Sequence, residues 1–507
     1  MAAIVHAARL GRLRSSPWTA PLALAAVAGI GLRVYVERTG IGTPDSDEAI
    51  VALMVRHALD GHLAVFYWGQ PYGGTQEVFL TVPFFWLFGQ SWLVLRIVPI
   101  AISGLASLVL WRVGLRVFRD TAGKTAGALL WIWPPFAVFY LTHQYGFYAS
   151  DVFYCSLILL LALRTVERPD LVRAGVFGLV LGLSLWESEQ IVPVAVPVIL
   201  WTICRNPRVL RHAWAAAVAA AVGALPWLVW NARHGWCSLT PLPGGATTYW
   251  HRERLFLSPL LGMIAGLRVP YAQTPVLGFA RLVDLLSVGL LLLFAAGAVL
   301  ALRRSRRSEA SLLYSVALAF GPLYAISPPT FESREPRYLV VLTPVLALLV
   351  AQLATTYRRS IVLLAAACAL SFVVLHEMNA FRRTHPGAFS PTASRFGPLI
   401  AELDRLHVRR AYGDYFIVYV LDFDARERIV AVENDMHAVT FTGGRVRLAP
   451  SFARRPAYGR EVAQARSPGF VFFRSELARE AIVAKLERHG YHAHPVGAFV
   501  VLARDGS

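Results

Sequence analysis

Residues 43–61, TPDSDEAIVALMVRHALDG, follow at once on an apolar run at 18–36 and place Asp45, Asp47 and Glu48 within four positions. A run of that kind approaches the roughly 20 residues needed to cross a bilayer, so residue 43 opens the first segment beyond a membrane span. Thr43 is expected to cap a helix with Pro44 at its first position, and Ile50, Leu53, Met54 and Ala58 then recur at helical spacing. Such a helix would lie along the membrane surface. Acidic residues in a first helical turn complement the helix dipole whatever else they do, so their presence alone does not make a site.

Composition extends the membrane reading. Of the 507 residues 56% are hydrophobic and 16% charged, against roughly 45–50% and 25% in soluble proteins. Apolar stretches are expected to form eleven spans, near 18–36, 91–111, 125–141, 147–163, 174–187, 189–203, 212–230, 282–302, 310–327, 337–356 and 361–378. The two joined by WESEQ are short enough for a re-entrant pair. Alternate loops should differ in Lys and Arg, and they do. One side collects Arg9, Arg12 and Arg14, then Arg112, Arg116, Arg119 and Lys124, then Arg164, Arg168 and Arg173, then Arg205, Arg208 and Arg211, then Arg303, Arg304, Arg306 and Arg307, then Arg358 and Arg359. The opposite loops THQYG and WESEQ hold none. This orientation puts the N-terminus in the cytoplasm and residues 37–90, 231–281, 328–336 and the tail outside a plasma (inner) membrane. The net charge of +18 then follows from membrane orientation and calls for no nucleic acid. The basic, then apolar, start resembles a signal peptide, but ten further spans make it a retained anchor.

Beyond residue 385 the pattern changes. RERIVAV and GFVFFRS read as strands, and ELAREAIVAKLERHG as a helix ended by its glycine. The expected fold is a mainly α polytopic membrane domain at 1–380, with in-plane helices in a first outer loop at 37–90, followed by a small extracytoplasmic α/β domain at 385–507. The four cysteines show no CxxC or metal-ligand spacing.

The ionisable residues of the outer half gather near span ends: Arg96, Asp151, Glu187, Glu189, Arg281 and Asp284. Few stand mid-membrane, where an ion or proton path would need them. With DSDEAIVALMVRHALDG and FYWGQPYGGTQE in the first loop and EPRYLVVLTPVLALLVA late in the chain, the sequence resembles the GT-C glycosyltransferases, in the branch of bacterial protein O-mannosyltransferases and lipid A aminoarabinose transferases. The resemblance covers about residues 18 to 380 and implies a sugar donor carried on a polyprenyl phosphate, a cell-envelope acceptor and a lipid bilayer around the site. It also implies that an acidic residue of the first loop supports attack on the anomeric carbon; carried over, the pair is Asp47 and Glu48, with Asp45 beside them.

The chemistry suits those residue types. A hydroxyl acceptor is a weak nucleophile, and a carboxylate within hydrogen-bond reach takes its proton in the transition state. The departing lipid phosphate needs compensation from arginine or a metal. Asp45 and Asp47 form a D-x-D pair that could hold a divalent cation, magnesium or manganese, through oxygen ligands. The aminoarabinose group carries a lysine in the second half of this loop, suited to a phosphate, where this chain has only Gln76 and Glu77. Arg334 and Arg337, with Tyr338, are the expected substitutes, because guanidinium binds phosphate bidentately; interfacial anchoring or pairing with Glu332 or Glu335 is their plainer role. Tyr145, in THQYGFYASD, could contact sugar or belong to an aromatic belt, and Glu187 could touch the acceptor or cap a solvated turn. Rival functions are a transporter or lipid flippase, a non-catalytic envelope scaffold, and an O-antigen-ligase-type enzyme, for which His251 and Arg252 would outweigh Asp47.

Overall fold

A computed structural model describes residues 17–118, 120–240, 247–283, 285–286, 289, 308–327, 332–385, 396–433, 439–442, 445–448, 454–475 and 482–504. The helices are α1 (Thr19–Arg38), α2 (Ser46–Leu59), α3 (Gln76–Phe88), α4 (Trp92–Val117), α5 (Asp120–Ile132), α6 (Pro135–Tyr140), α7 (Tyr148–Glu167), α8 (Leu171–Glu187), α9 (Val192–Arg205), α10 (Ala213–Gly223), α11 (Leu225–Arg233), α12 (Tyr249–Leu255), α13 (Leu261–Ile264), α14 (Ser311–Tyr324), α15 (Thr343–Ala351), α16 (Tyr357–Thr384), α17 (Gly397–Arg405), α18 (Tyr415–Asp424), α19 (Pro456–Gln464) and α20 (Ile482–Arg488). Four of them, α1, α4, α7 and α16, are long and apolar enough to cross a membrane, and a fifth span arises if Pro207–Gly223 and α11, bent by 65°, are read together. The chain is therefore a multi-pass membrane protein. The other expected spans inside the described residues also fall on helices, but shorter ones; the 125–141 run is split at Pro134 into α5 and α6. The expected span at 282–302 lies largely outside the described residues, as do Arg9, Arg12, Arg14, Arg119, Asp284 and the arginines at 303–307.

α2 and α3 have 14 and 13 residues, about 20 Å of helix against a hydrocarbon core of ~30 Å, so neither crosses. They occupy the segment between the first two long apolar helices. The α2 start departs from the sequence reading: Asp45, not Thr43, is the cap, its side chain accepting the Glu48 N–H at 3.1 Å. Thr43 instead turns its hydroxyl back onto the Gly40 carbonyl at 2.9 Å. A carboxylate one residue from the helix reaches the orphan N–H that Thr43, two residues earlier, cannot.

The tail folds as a five-stranded sheet in the order β2-β1-β5-β7-β6, from β1 (Arg410–Gly413), β2 (Val430–Glu433), β5 (Gly469–Phe473), β6 (Tyr491–Val496) and β7 (Phe499–Arg504); β3 (Val439–Thr442) and β4 (Arg445–Leu448) pair separately. β1 runs parallel to β2 and β5, and β7 antiparallel to β5 and β6. The run read as a helix ended by glycine is α20, and Gly490 behind it takes φ 81°, a left-handed conformation that suits glycine. α18 leaves the end of β1 and packs on α2, joining tail to membrane part through one continuous core. At the far end of α2, Arg56 and His57 close on Glu427 at 3.3 and 2.7 Å, and Tyr458 donates to the same carboxylate.

Candidate active site

Glu48 is fully buried. Its two oxygens accept from Arg96 of α4 at 2.7 and 2.5 Å, and one also takes the Gln144 N–H at 3.0 Å. Arg96 reaches Glu37 at the end of α1 as well. This network ties α1, α2, α4 and the THQYG loop into one frame. Burial works against charge on Glu48, but the Arg96 guanidinium, with His143 and the Gln144 N–H, holds its carboxyl below the ordinary range.

Asp47, one residue earlier on the helix, points away from that frame, with 46% of its side chain exposed. Tyr415, the first residue of α18, donates its hydroxyl to Asp47 Oδ1. The Arg454 guanidinium lies 4.0 Å from the same oxygen and 5.7 Å from the Tyr415 ring. Arg454 is itself braced by Gln70 of the first loop and by a 2.9 Å bond from its N–H to Tyr419. Tyr72 is within electrostatic reach of Arg454, Tyr338, Asp47 and Arg337. The tail therefore meets the first loop at Asp47, and Glu335 of the EPRYL segment lies within electrostatic reach of it.

Asp45 is partly exposed but largely surrounded by protein. Burial, then the neighbouring charge of Asp47, pushes its carboxyl up to about 8, against the Glu48 N–H and a hydrogen bond with Tyr145 that favour the charged form. Tyr145 stacks on His143 with ring centroids 5.0 Å apart, so it is built into the wall beside Asp45. Arg337 pairs with Glu335 at 3.3 Å and lies 5.3 Å from the Tyr338 ring. Glu335 also accepts from Tyr271. Arg334 is exposed, and its main chain is used locally, its N–H donating to Glu332 at 2.8 Å and its carbonyl accepting from Tyr271 at 2.6 Å.

Gln76, Glu77 and Glu187 belong to a separate buried cluster. The Gln76 N–H donates to Glu187 at 3.1 Å, Gln76 Nε2 donates to the Leu183 carbonyl at 2.8 Å, and Glu77 accepts the Ser150 N–H at 2.8 Å. Gly74 donates to the Glu187 carbonyl at 2.7 Å, and a Cβ there would meet the Glu187 Cα at 2.6 Å. The double glycine is what lets the first loop lie flat on the end of α8. Arg252 is likewise buried, donating to the Ala325 carbonyl at 2.8 Å and the Thr247 carbonyl at 2.6 Å.

The D-x-D pair does not fit a divalent cation. Asp45 spends an oxygen on the helix cap and holds its proton near neutrality, Asp47 Oδ1 is engaged by Tyr415, and among the described residues no group of three or more His, Cys, Asp or Glu side chains is placed to hold an ion. Sequence reasoning missed Tyr72, Tyr415 and Arg454. The only trace of the last two was a tail of strand-and-helix pattern, which names no partner.

Fold and site together define a multi-pass membrane protein in which the loop after the first span and the C-terminal α/β fold meet at an acidic centre. No family model and no curated protein matches the sequence. Among solved structures, ArnT from Cupriavidus metallidurans bound to undecaprenyl phosphate superposes with a TM-score of 0.62 at 15% identity, over 97% of this chain and 99% of that one. ArnT in the apo state gives 0.64 at 14% identity, over 96% and 98%. The chain has the fold of ArnT, a lipid A aminoarabinose transferase of the GT-C superfamily, so the resemblance read from its loops extends through the whole architecture.

Proposed function

We propose that this protein is a membrane glycosyltransferase that moves a sugar from a polyprenyl-phosphate donor to a hydroxyl of a cell-envelope acceptor at the outer face of the plasma membrane. The observation that carries the reading is the half-exposed Asp47 where the tail meets the first loop, with Glu335 of the EPRYL segment within electrostatic reach, in a fold shared with a protein solved bound to undecaprenyl phosphate. Asp47 is the base. Tyr415 and Arg454 fix Oδ1, which leaves Oδ2 for the acceptor hydroxyl. As the acceptor oxygen bonds to the anomeric carbon its proton passes to Asp47, while the bond from that carbon to the phosphate oxygen breaks and its electron pair leaves with the phosphate. A single displacement inverts the anomeric centre. Arg337, held by Glu335, takes the growing charge on the phosphate. Glu48 serves by fixing the frame of α2 through Arg96. The N-terminus is assigned to the cytoplasm, and residues 385–507 to an extracytoplasmic domain that covers the site.

The test uses purified protein in lipid vesicles with a panel of polyprenyl-monophosphate sugars and envelope acceptors, following release of polyprenyl phosphate. The wild type should release it and folded Asp47→Asn should not. Equal release by both would remove Asp47 from the mechanism.

A further inference from the structure

At the end of α7 opposite Tyr148, the last turns of α4 and α7 and the first of α8 enclose a cavity of about 480 Å³. Four arginines line it: Arg116, Arg164, Arg168 and Arg173. Two are neutralised locally, Arg116 by Glu167 at 2.6 Å and Arg173 by Asp170. Arg164 and Arg168 are exposed and form no ion pair within 4.0 Å among the described residues, although the Glu167 carboxylate, which also lines the cavity, acts on Arg168 at longer range. They stand four apart at one helix end, where like charges oppose each other unless an anion lies between them.

A second observation points the same way. Thr165 also lines the cavity, is only 3% exposed, and its hydroxyl has no hydrogen-bond partner. A buried hydroxyl left unmade costs free energy, and an anionic oxygen entering this cavity would supply the missing partner. Val172 and Val176 of α8, which also line the cavity, are 72% and 43% exposed, an outward aliphatic face of the sort that meets acyl chains. Cations, a polar donor and exposed aliphatics around one cavity match the groups of an anionic phospholipid.

We propose that this cavity binds the phosphodiester headgroup of an anionic phospholipid, with Arg164 and Arg168 on the phosphate and Thr165 donating to one of its oxygens. Basic pockets between membrane helices recognise such headgroups through charge and bidentate hydrogen bonds. The site is separated from the proposed reaction centre by the length of α7, about 30 Å for 20 residues, and does not depend on the proposed activity.

The test is thermal unfolding of the full-length protein in detergent, titrated with phosphatidylglycerol, phosphatidylcholine or inorganic phosphate. Phosphatidylglycerol should raise Tm in a saturable way, and the Arg164→Gln/Arg168→Gln variant should lose that rise. Thr165→Val keeps every charge and should weaken the apparent affinity roughly two- to tenfold. Equal stabilisation by phosphatidylcholine, or an unchanged response in both variants, overturns the site. Inorganic phosphate reproducing the full shift overturns the lipid as its occupant.

Discussion

Tyr415 donates its hydroxyl to the Asp47 carboxylate across 368 positions of sequence. The contact joins α2 to the first residue of α18, at the carboxyl end of β1 where α/β sheets commonly present functional side chains. Removing the hydroxyl frees Asp47 Oδ1 to turn. Tyr415→Phe should lower kcat by roughly two- to tenfold, the worth of one hydrogen bond, with donor KM little changed. A fall in Tm that matches the fall in kcat would instead make Tyr415 a structural contact.

Asp45 and Asp47 are two residues apart and should behave in opposite ways. Asp45 keeps its proton up to about pH 8, so Asp45→Asn imitates its working form and retains the cap to the Glu48 N–H. That variant should keep most activity, whereas Asp47→Asn should lose it. The sign for stability follows from a carboxyl raised in the folded state. Its contribution is complete below the ordinary carboxylate range and is lost as pH climbs through about 8, so Asp45→Asn should flatten the fall of Tm between pH 4 and 9. Asp45→Ala removes the cap and should cost about 1 kcal/mol at any pH. Were the pair a metal site, both asparagine variants would be inactive.

How far sequence reached is clearest on α2. The helix and its place after the first span were legible, because a lipid-crossing run must be continuous and apolar and a surface helix must repeat every three to four residues. The split of labour among the three acids was not. Glu48 turns inward to Arg96 and Asp47 outward to Tyr415, a difference of one step, about 100°, around a helix whose orientation only packing fixes. Arg96 did signal itself, as one of the charges gathered near span ends. Arg454 sent no such signal, since an arginine in a loop of a basic tail looks like any other.

Removing the Glu48 carboxylate leaves Arg96 charged and buried beside Glu37 alone. Glu48→Gln should destabilise the protein by about 3–5 kcal/mol, the usual result of breaking one side of a buried pair, and lose activity through unfolding. Differential scanning fluorimetry separates this from Asp47→Asn, which should melt like wild type.

Arg337 and Arg334 were equal candidates in sequence and are not equal in place. Arg337 is fixed by Glu335 and shares the surroundings of Tyr72 with Asp47, while Arg334 is exposed. Arg337→Ala should cut kcat/KM roughly tenfold to a hundredfold, as expected for lost charged hydrogen bonds, with Arg337→Lys recovering little because one ammonium cannot replace a planar fork. Arg334→Ala should stay within about twofold of wild type in the same donor titration, as surface substitutions usually do.

The tail is held over the site by Glu427, which His57, Tyr458, Arg56 and Arg455 surround. Burial raises the carboxyl, but hydrogen bonds from His57 and Tyr458 and the charge of Arg56 outweigh it and bring it down to about 2. A carboxyl lowered in the folded state contributes its stability above the ordinary value near 4.5 and loses it as pH falls through about 2. Acidification over that window should therefore loosen the tail from α2 before the membrane helices yield. Limited pepsin digestion should release a fragment of the tail progressively below about pH 4, and Glu427→Gln should release it already at pH 4.5 and above. Cleavage in the membrane part first, or the same profile in both proteins, would show that this carboxylate does not govern the docking.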